Sequence, residues 1–110
     1  MNEEVKQAVQ QAKDAGCVVM SFTHGDTDFI YRSLNRMEWK ALQADFNEKV
    51  LANTATKEDG EDALVIRALI SPKITDKQAL AQFPAGVIAQ LAEFILVASG
   101  FGVEVEPQRL

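Results

Sequence analysis

Apolar residues recur at helical spacing near the start of the chain, which predicts a helix over residues 2–14. One narrow apolar stripe runs along it, formed by Val5, Ala8, Val9 and Ala12. Gly16 follows as a left-handed C-cap. Because half of the stripe is alanine, we expect this helix to bury little area.

Two short runs then have the composition of strands. Cys17–Phe22 and Phe29–Leu34 are rich in β-branched and aromatic residues, and Thr23–Asp28 between them is rich in turn formers. This pattern predicts a β-hairpin with a loop of four to six residues. Since two strands alone are only marginally stable, one face of the hairpin must pack against helices.

A capping box at Asn35–Glu38 opens the next predicted helix, which continues to about Asn53. Its apolar side chains lie on one face, and we expect Trp39 and Phe46 to belong to the core. The acids of residues 57–62 then precede an apolar helix.

That apolar helix covers Ala63–Ile70 and must end near Ser71, because Pro72 disfavours helical geometry in the residue before it. Acids at its start complement the helix dipole. A second capping box at Thr75–Gln78 opens a short helix that ends at about Gln82.

Pro84 suits the first turn of a last helix, which ends near Ser99 with Gly100 as its cap. The next residues, Val103–Glu106, alternate like an edge strand. The predicted fold is therefore α+β: an N-terminal helix, one β-hairpin and then a bundle of three to four helices. We expect a single domain over residues 1–102 and a C-terminal tail over 103–110.

Charge and composition exclude some classes of function. The 110 residues include 11 basic and 16 acidic side chains, and the net charge of −5 is spread evenly over the two halves. A nucleic-acid or anionic-membrane surface needs clustered Lys and Arg, so neither partner is expected. No stretch has the features of a secretory signal or a membrane span. We therefore expect an intracellular, soluble protein.

Catalytic chemistry has little support in the sequence. The only histidine, His24, lies in the predicted hairpin loop, and the only thiol, Cys17, lies at the opposite end of the first predicted strand, about 23 Å away. His24, Asp26 and Asp28 could bind a metal ion. However, a solvated turn favours these residue types for the sake of its backbone conformation, and this alone explains their presence. A single cysteine excludes a disulfide framework. We expect no enzyme, no metal site and no cofactor.

The last helix carries more apolar side chains than one stripe needs. Its core stripe is formed by Ile88, Leu91, Ile95 and Ala98. A helix that is apolar nearly all round must be covered on both sides. Two interpretations stay open: the helix packs against 63–70 beneath the hairpin, or it exposes a surface for a partner or a second copy. The second predicts these partner contacts: Val87, Phe94, Val97 and Phe101.

Two segments resemble a known family. Phe29–Trp39, with the sequence FIYRSLNRMEW, resembles the strand-to-helix corner of small tail proteins of tailed bacteriophages. Ala63–Pro72 and the stretch from Phe83 to Gly102 resemble the C-terminal half of those proteins, where a helix opens with Pro-Ala-Gly and finishes with Ser-Gly-Phe. Together the matched segments cover about half of the chain, and the family has no catalytic signature to carry over.

The resemblance implies a tail or baseplate assembly chaperone that binds another tail component, either the tape measure, the hub or a baseplate protein. It also implies a location in the cytoplasm of the bacterial host or in the virion. An amphipathic helix laid into an apolar groove would be the natural binding mode. The alternative is a structural virion protein of the tail, neck or baseplate, and self-association into a homo-oligomer fits either role.

Overall fold

A computed structural model describes residues 2–53 and 56–101, and over those ranges the chain has an α+β fold, as predicted. An N-terminal helix and a β-hairpin come first, and the rest of the fold is mostly helical. In chain order the elements are α1 (Glu3–Asp14), β1 (Val19–His24), β2 (Thr27–Arg32), α2 (Arg36–Leu51), α3 (Lys57–Ala68), β3 (Leu69–Ser71), α4 (Lys77–Leu80) and α5 (Ala85–Ala98). The strand-like stretch predicted over 103–106 lies outside the described residues.

The hairpin is tighter than the sequence predicts. β1 and β2 pair antiparallel up to His24 and Thr27, so the turn has two residues rather than four to six. Gly25 takes a φ of +61° in this turn, a conformation that glycine adopts at little cost. The Thr23 hydroxyl donates to Asp28 Oδ1 at 2.6 Å across the ladder, so polar residues assigned to the loop are part of the strands.

A third strand, β3, was not predicted. It pairs antiparallel with β2, where Tyr31 lies opposite Leu69 and Ile30 opposite Ser71. The apolar run over 63–70 is therefore helical only to Ala68. A continuous apolar run has the same appearance in a buried helix and in a buried strand, so periodicity could not locate the change. The sheet order β1-β2-β3 leaves β1 and β3 as its edges.

The core lies between this sheet and α3, and α5 runs through it. α5 buries five residues: Val87, Ile88, Leu91, Ala92 and Ile95. Val65 and Ala68 of α3 and Phe29 of β2 are buried with them. The sheet covers one side of α5 and α3 covers another, so most of its apolar surface is hidden within one protomer.

This arrangement packs two of the four predicted partner contacts against other parts of the protomer. Val87 is only 3% exposed and belongs to the core. The Phe94 ring stacks on Tyr31 at a centroid distance of 6.3 Å and meets the edge of Phe22 at 5.3 Å, so it packs against the sheet. Val97 and Phe101 remain 50% and 41% exposed.

Helix α2, in contrast, lies at the periphery. None of its 16 residues is buried, and the predicted core residues Trp39 and Phe46 are only half-buried. The radius of gyration is 15.0 Å, whereas a compact chain of this length would have about 13 Å. The molecule measures 44 × 43 × 23 Å, which is a flat and open shape. Trp39 and Leu42 nevertheless pack against the core from outside, whereas Phe46 is not among the side chains packed on it and faces a groove, so the prediction was wrong for Phe46.

The helix ends follow local signals. Asn35 and Glu38 form the predicted capping box of α2, and a second box joins Thr56 and Asp59 at the start of α3. At α4 the capping box predicted at Thr75–Gln78 is wrong, because the cap is Asp76, whose Oδ1 accepts from the Ala79 amide at 2.9 Å. Left-handed glycines follow α1 and α5, at φ values of +86° for Gly16 and +97° for Gly100. These predicted stops are confirmed.

We expect Gly60→Ala to raise the free energy of unfolding by about 0.5–1 kcal/mol, since Gly60 lies inside α3 and glycine costs that much in a helix interior. A Cβ added there would lie 3.6 Å from the Phe46 ring, an ordinary contact. Urea unfolding measures the change. Gly25→Ala is the matched control and should destabilise, because its φ is positive. A destabilised Gly60→Ala would contradict the packing of α2 on α3.

Candidate functional site

The main candidate site is an apolar groove between α2 and α3, with α5 as its floor. Its cavity has a volume of about 270 Å³. We call it the α2 groove and define it by six apolar side chains: Trp39, Leu42, Phe46, Leu64, Ala92 and Leu96. α2 supplies three of these residues along one face, and the other three come from α3 and α5.

The groove continues toward the C-terminal end of α2. Val50 lies one turn beyond Phe46 on the same helix face and is 49% exposed. Leu51 is next to it and is 86% exposed. The apolar surface of α2 therefore extends past the cavity to the end of the helix.

At the other end, Trp39 contacts Phe101. Their ring centroids are 4.5 Å apart. The end of α5 is held in place there, because Ser99 Oγ accepts from the Leu34 amide at 2.8 Å and donates to the Ile95 carbonyl at 2.7 Å. Phe101, a predicted partner contact that follows the cap of α5, thus lies beside the Trp39 end of the α2 groove.

The rim of the α2 groove carries more acid than base. Asp45, Asp59 and Glu61 line it together with one cation, Lys49. Asp59 is also the capping residue of α3. A ligand with an apolar stripe and flanking basic side chains would match this rim, because complementary charge favours the correct partner and its orientation.

A cluster of charged side chains lies at the corner between β2 and α2. Glu38 accepts from Arg32 through both of its oxygens, at 2.9 and 2.7 Å, and from Arg67 Nε at 3.0 Å. Arg32 also donates to the carbonyl of Arg67 at 3.2 Å. This cluster ties together β2, α2 and α3.

The cluster is structural rather than catalytic in its chemistry. Hydrogen bonds from Arg32, with smaller contributions from the Asn35 amide and Arg67, lower the pKa of Glu38 from 4.5 to about 2. Its bond to Glu38 in turn raises the pKa of Arg32. A carboxylate with such a low pKa, and with both oxygens engaged, is a poor general base near neutral pH.

The residues considered for metal chemistry are spread along the hairpin surface. His24 ends β1, Asp26 lies in the turn and Asp28 accepts from Thr23, and all three are exposed. Cys17 is half-buried ahead of β1. In the part of the chain that the structure describes, no three His, Cys, Asp or Glu side chains are placed to hold a metal ion. Within the same residues, no helix is long and apolar enough to cross a bilayer.

No family model matches the chain, and no curated protein or solved structure is significantly similar to it. Geometry and chemistry of the described surface therefore provide the evidence for function. The α2 groove, with its mostly apolar lining, is the best candidate there for a protein-binding surface. The sequence shows the stripe of large apolar side chains on α2, but not that this stripe borders a groove.

Proposed function

We propose that this chain is a non-enzymatic binding protein that takes an amphipathic helix of a partner into the α2 groove. One observation carries the proposal: α2 holds a stripe of large apolar side chains, and none of its residues is buried. Helix-in-groove recognition uses such a stripe, with anchors on the incoming helix at spacings of three and four residues.

The partner chemistry follows from the groove. Its floor between Trp39 and Phe46 would accept large apolar side chains, and the acidic rim at Asp45 and Glu61 would favour Lys or Arg on the flanks of the incoming helix. The rim part of this interaction should weaken as salt increases, because exposed charges are screened.

Within that class we propose a tail or baseplate assembly chaperone of tailed bacteriophages. Two observations support this choice. One is the resemblance to phage tail proteins, and the other is the position of the resembling segments in the fold. Phe29–Trp39 forms β2, the corner and the start of α2, and the segment from Phe83 to Gly102 includes α5. Both segments border the α2 groove. The partner would be a tape measure, hub or baseplate component, met in the cytoplasm of the bacterial host.

A structural virion subunit is the second candidate. The flat shape and the scattered exposed apolar residues, such as Met37 at 81% and Leu51 at 86%, would suit permanent contacts on several sides. Mass spectrometry of purified particles separates the two roles. Stoichiometric recovery would favour the virion subunit, whereas absence from mature particles would favour the chaperone.

Phe46→Glu should weaken partner binding by at least about 30-fold, because it places a charge in the apolar centre of the groove and hot-spot losses are about 2 kcal/mol or more. A photo-reactive phenylalanine analogue at position 46, in phage-producing cells, identifies the partner segment. Titration of that segment then gives the affinity.

Phe46→Leu is the matched control for this experiment and should stay within a few-fold of wild type. The same photo-reactive analogue at Val97 tests the α5 surface. Cross-links to an amphipathic segment of a tail protein from position 46, but not from 97, would support the proposal. Cross-links to a tail protein from position 97 alone would refute it.

A further inference from the structure

Among the residues that the structure describes, no strand pairs with the outer edge of β1. The Ser33 amide donates to the Val18 carbonyl at 2.8 Å, which fixes the phase of the β1–β2 ladder. In an antiparallel pair, alternate residues point their N–H and C=O groups to the same side. Val19, Ser21 and Thr23 therefore direct theirs away from β2, and β1 ends the sheet.

This edge lacks the usual protection. Natural proteins protect edge strands with charged side chains, prolines, bulges or short strands. β3, at the opposite edge, is three residues long and is followed by Pro72 and Lys73. β1 has six residues, and residues 17–23 contain no charged side chain, proline or glycine. Its sequence favours pairing rather than preventing it.

Exposed apolar side chains accompany the edge. Met20 is 48% exposed and lies opposite Tyr31, on the face of the sheet where Phe94 stacks. Val97 follows Phe94 by about one turn of α5 and is 50% exposed. Within the described residues, β1 therefore combines an edge that no strand pairs with and the half-exposed apolar side chain of Met20.

We propose that the occupant of this edge is a second copy of the chain, paired antiparallel through β1 about a two-fold axis at Ser21. Ser21 then lies opposite the partner's Ser21, and Val19 lies opposite the partner's Thr23. On the α5 face, Met20 lies beside the partner's Phe22. The two three-stranded sheets become one sheet of six strands.

Self-complementarity is the reason for choosing a second copy. A strand that pairs with this edge should be uncharged. It should have apolar residues on the face of the sheet that α5 covers and small or polar residues on the opposite face. β1 itself has that pattern, with Met20 and Phe22 on one face and Ser21 and Thr23 on the other. A closed two-fold pairing also leaves no further β1 edge exposed, so the assembly stops at a dimer. This dimer goes beyond the proposed function, because its surface does not include the α2 groove.

Sedimentation over a range of concentrations tests the dimer with a matched pair of variants. Ser21→Pro removes the outward N–H but no bond to β2, and should shift the dimer dissociation constant upward by at least tenfold. Ser21→Val keeps that N–H and should dimerise as wild type does. A wild-type chain that stays monomeric at every concentration, as expected if the edge binds a foreign strand, would overturn the proposal.

A second variant guards against a folding defect in Ser21→Pro. Met20→Lys changes a half-exposed side chain and should keep cooperative unfolding, yet it places a charge beside the partner's Phe22. It should also raise the dissociation constant at least tenfold. Dimerisation unchanged in both folded variants would show that another surface mediates association.

Discussion

Leu91→Ala should lower the free energy of unfolding by about 3–4 kcal/mol, within the range measured for truncating a fully buried leucine. Leu91 is 0% exposed and lies at the centre of α5. The substitution removes apolar contacts and leaves a cavity that the sheet on one side and α3 on the other can only partly fill. Urea denaturation with linear extrapolation gives the difference.

Val97→Ala is the matched control on the same helix, because Val97 is 50% exposed. Its cost should remain below about 1 kcal/mol, as for a surface position. Equal effects at the two positions would contradict the location of α5 within the core. The outcome matters for function, since a buried α5 cannot be the main docking surface.

Acid should destabilise the protein through Glu38. The folded-state pKa of this carboxyl is about 2, below its ordinary value of 4.5, because Arg32 and Arg67 bond to the charged form. A group with a lowered folded pKa adds stability that is fully present above pH 4.5 and is lost as the pH falls toward 2. The difference corresponds to a contribution of up to about 3 kcal/mol.

The measurement is the free energy of unfolding against pH for wild type and Glu38→Gln. The difference between the two curves isolates Glu38 from the other acids. It should be constant above pH 5 and shrink as the pH falls through the interval from 4.5 to 2. A difference that stays the same across that interval would show that the cluster does not stabilise the fold through its charge.

Local signals in the sequence were sufficient for the start of α2 and the ends of α1 and α5, but not for the bounds of α3 or the cap of α4. The capping box at Asn35 and the glycines after α1 and α5 depend only on a few neighbouring residues, so the predictions there are confirmed. The hairpin was also predicted, but its turn was too long, because Thr23 and Asp28 have the composition of a loop while they pair as strand residues.

Features that depend on distant residues were not predictable in the same way. β3 has three residues, too few for any periodicity to show, and it forms because β2 offers an edge. The pattern of α5 shows that it is apolar nearly all round, but not that α3 and the sheet cover it. Likewise, the stripe on α2 reads as an ordinary core face, and only the fold shows that it borders a groove.

These corrections move the candidate binding surface from α5 to α2. Of the four residues first considered, Val87 is core, Phe94 packs on the sheet and Val97 is half-exposed on α5. Phe101 alone remains beside the α2 groove, through its contact with Trp39. Exposed apolar surface is thus present in the fold, but it lies on α2, whose apolar side chains were predicted to belong to the core.

The most direct test of the α2 groove uses Trp39, the only tryptophan of the chain, which lies in the groove itself. Titration with the neutral apolar dye Nile red should quench its emission as the dye binds. Phe46→Glu should abolish this response, whereas Phe46→Leu and Val97→Glu should retain it. No response in the wild-type chain, or a response lost only in Val97→Glu, would contradict a binding groove at α2.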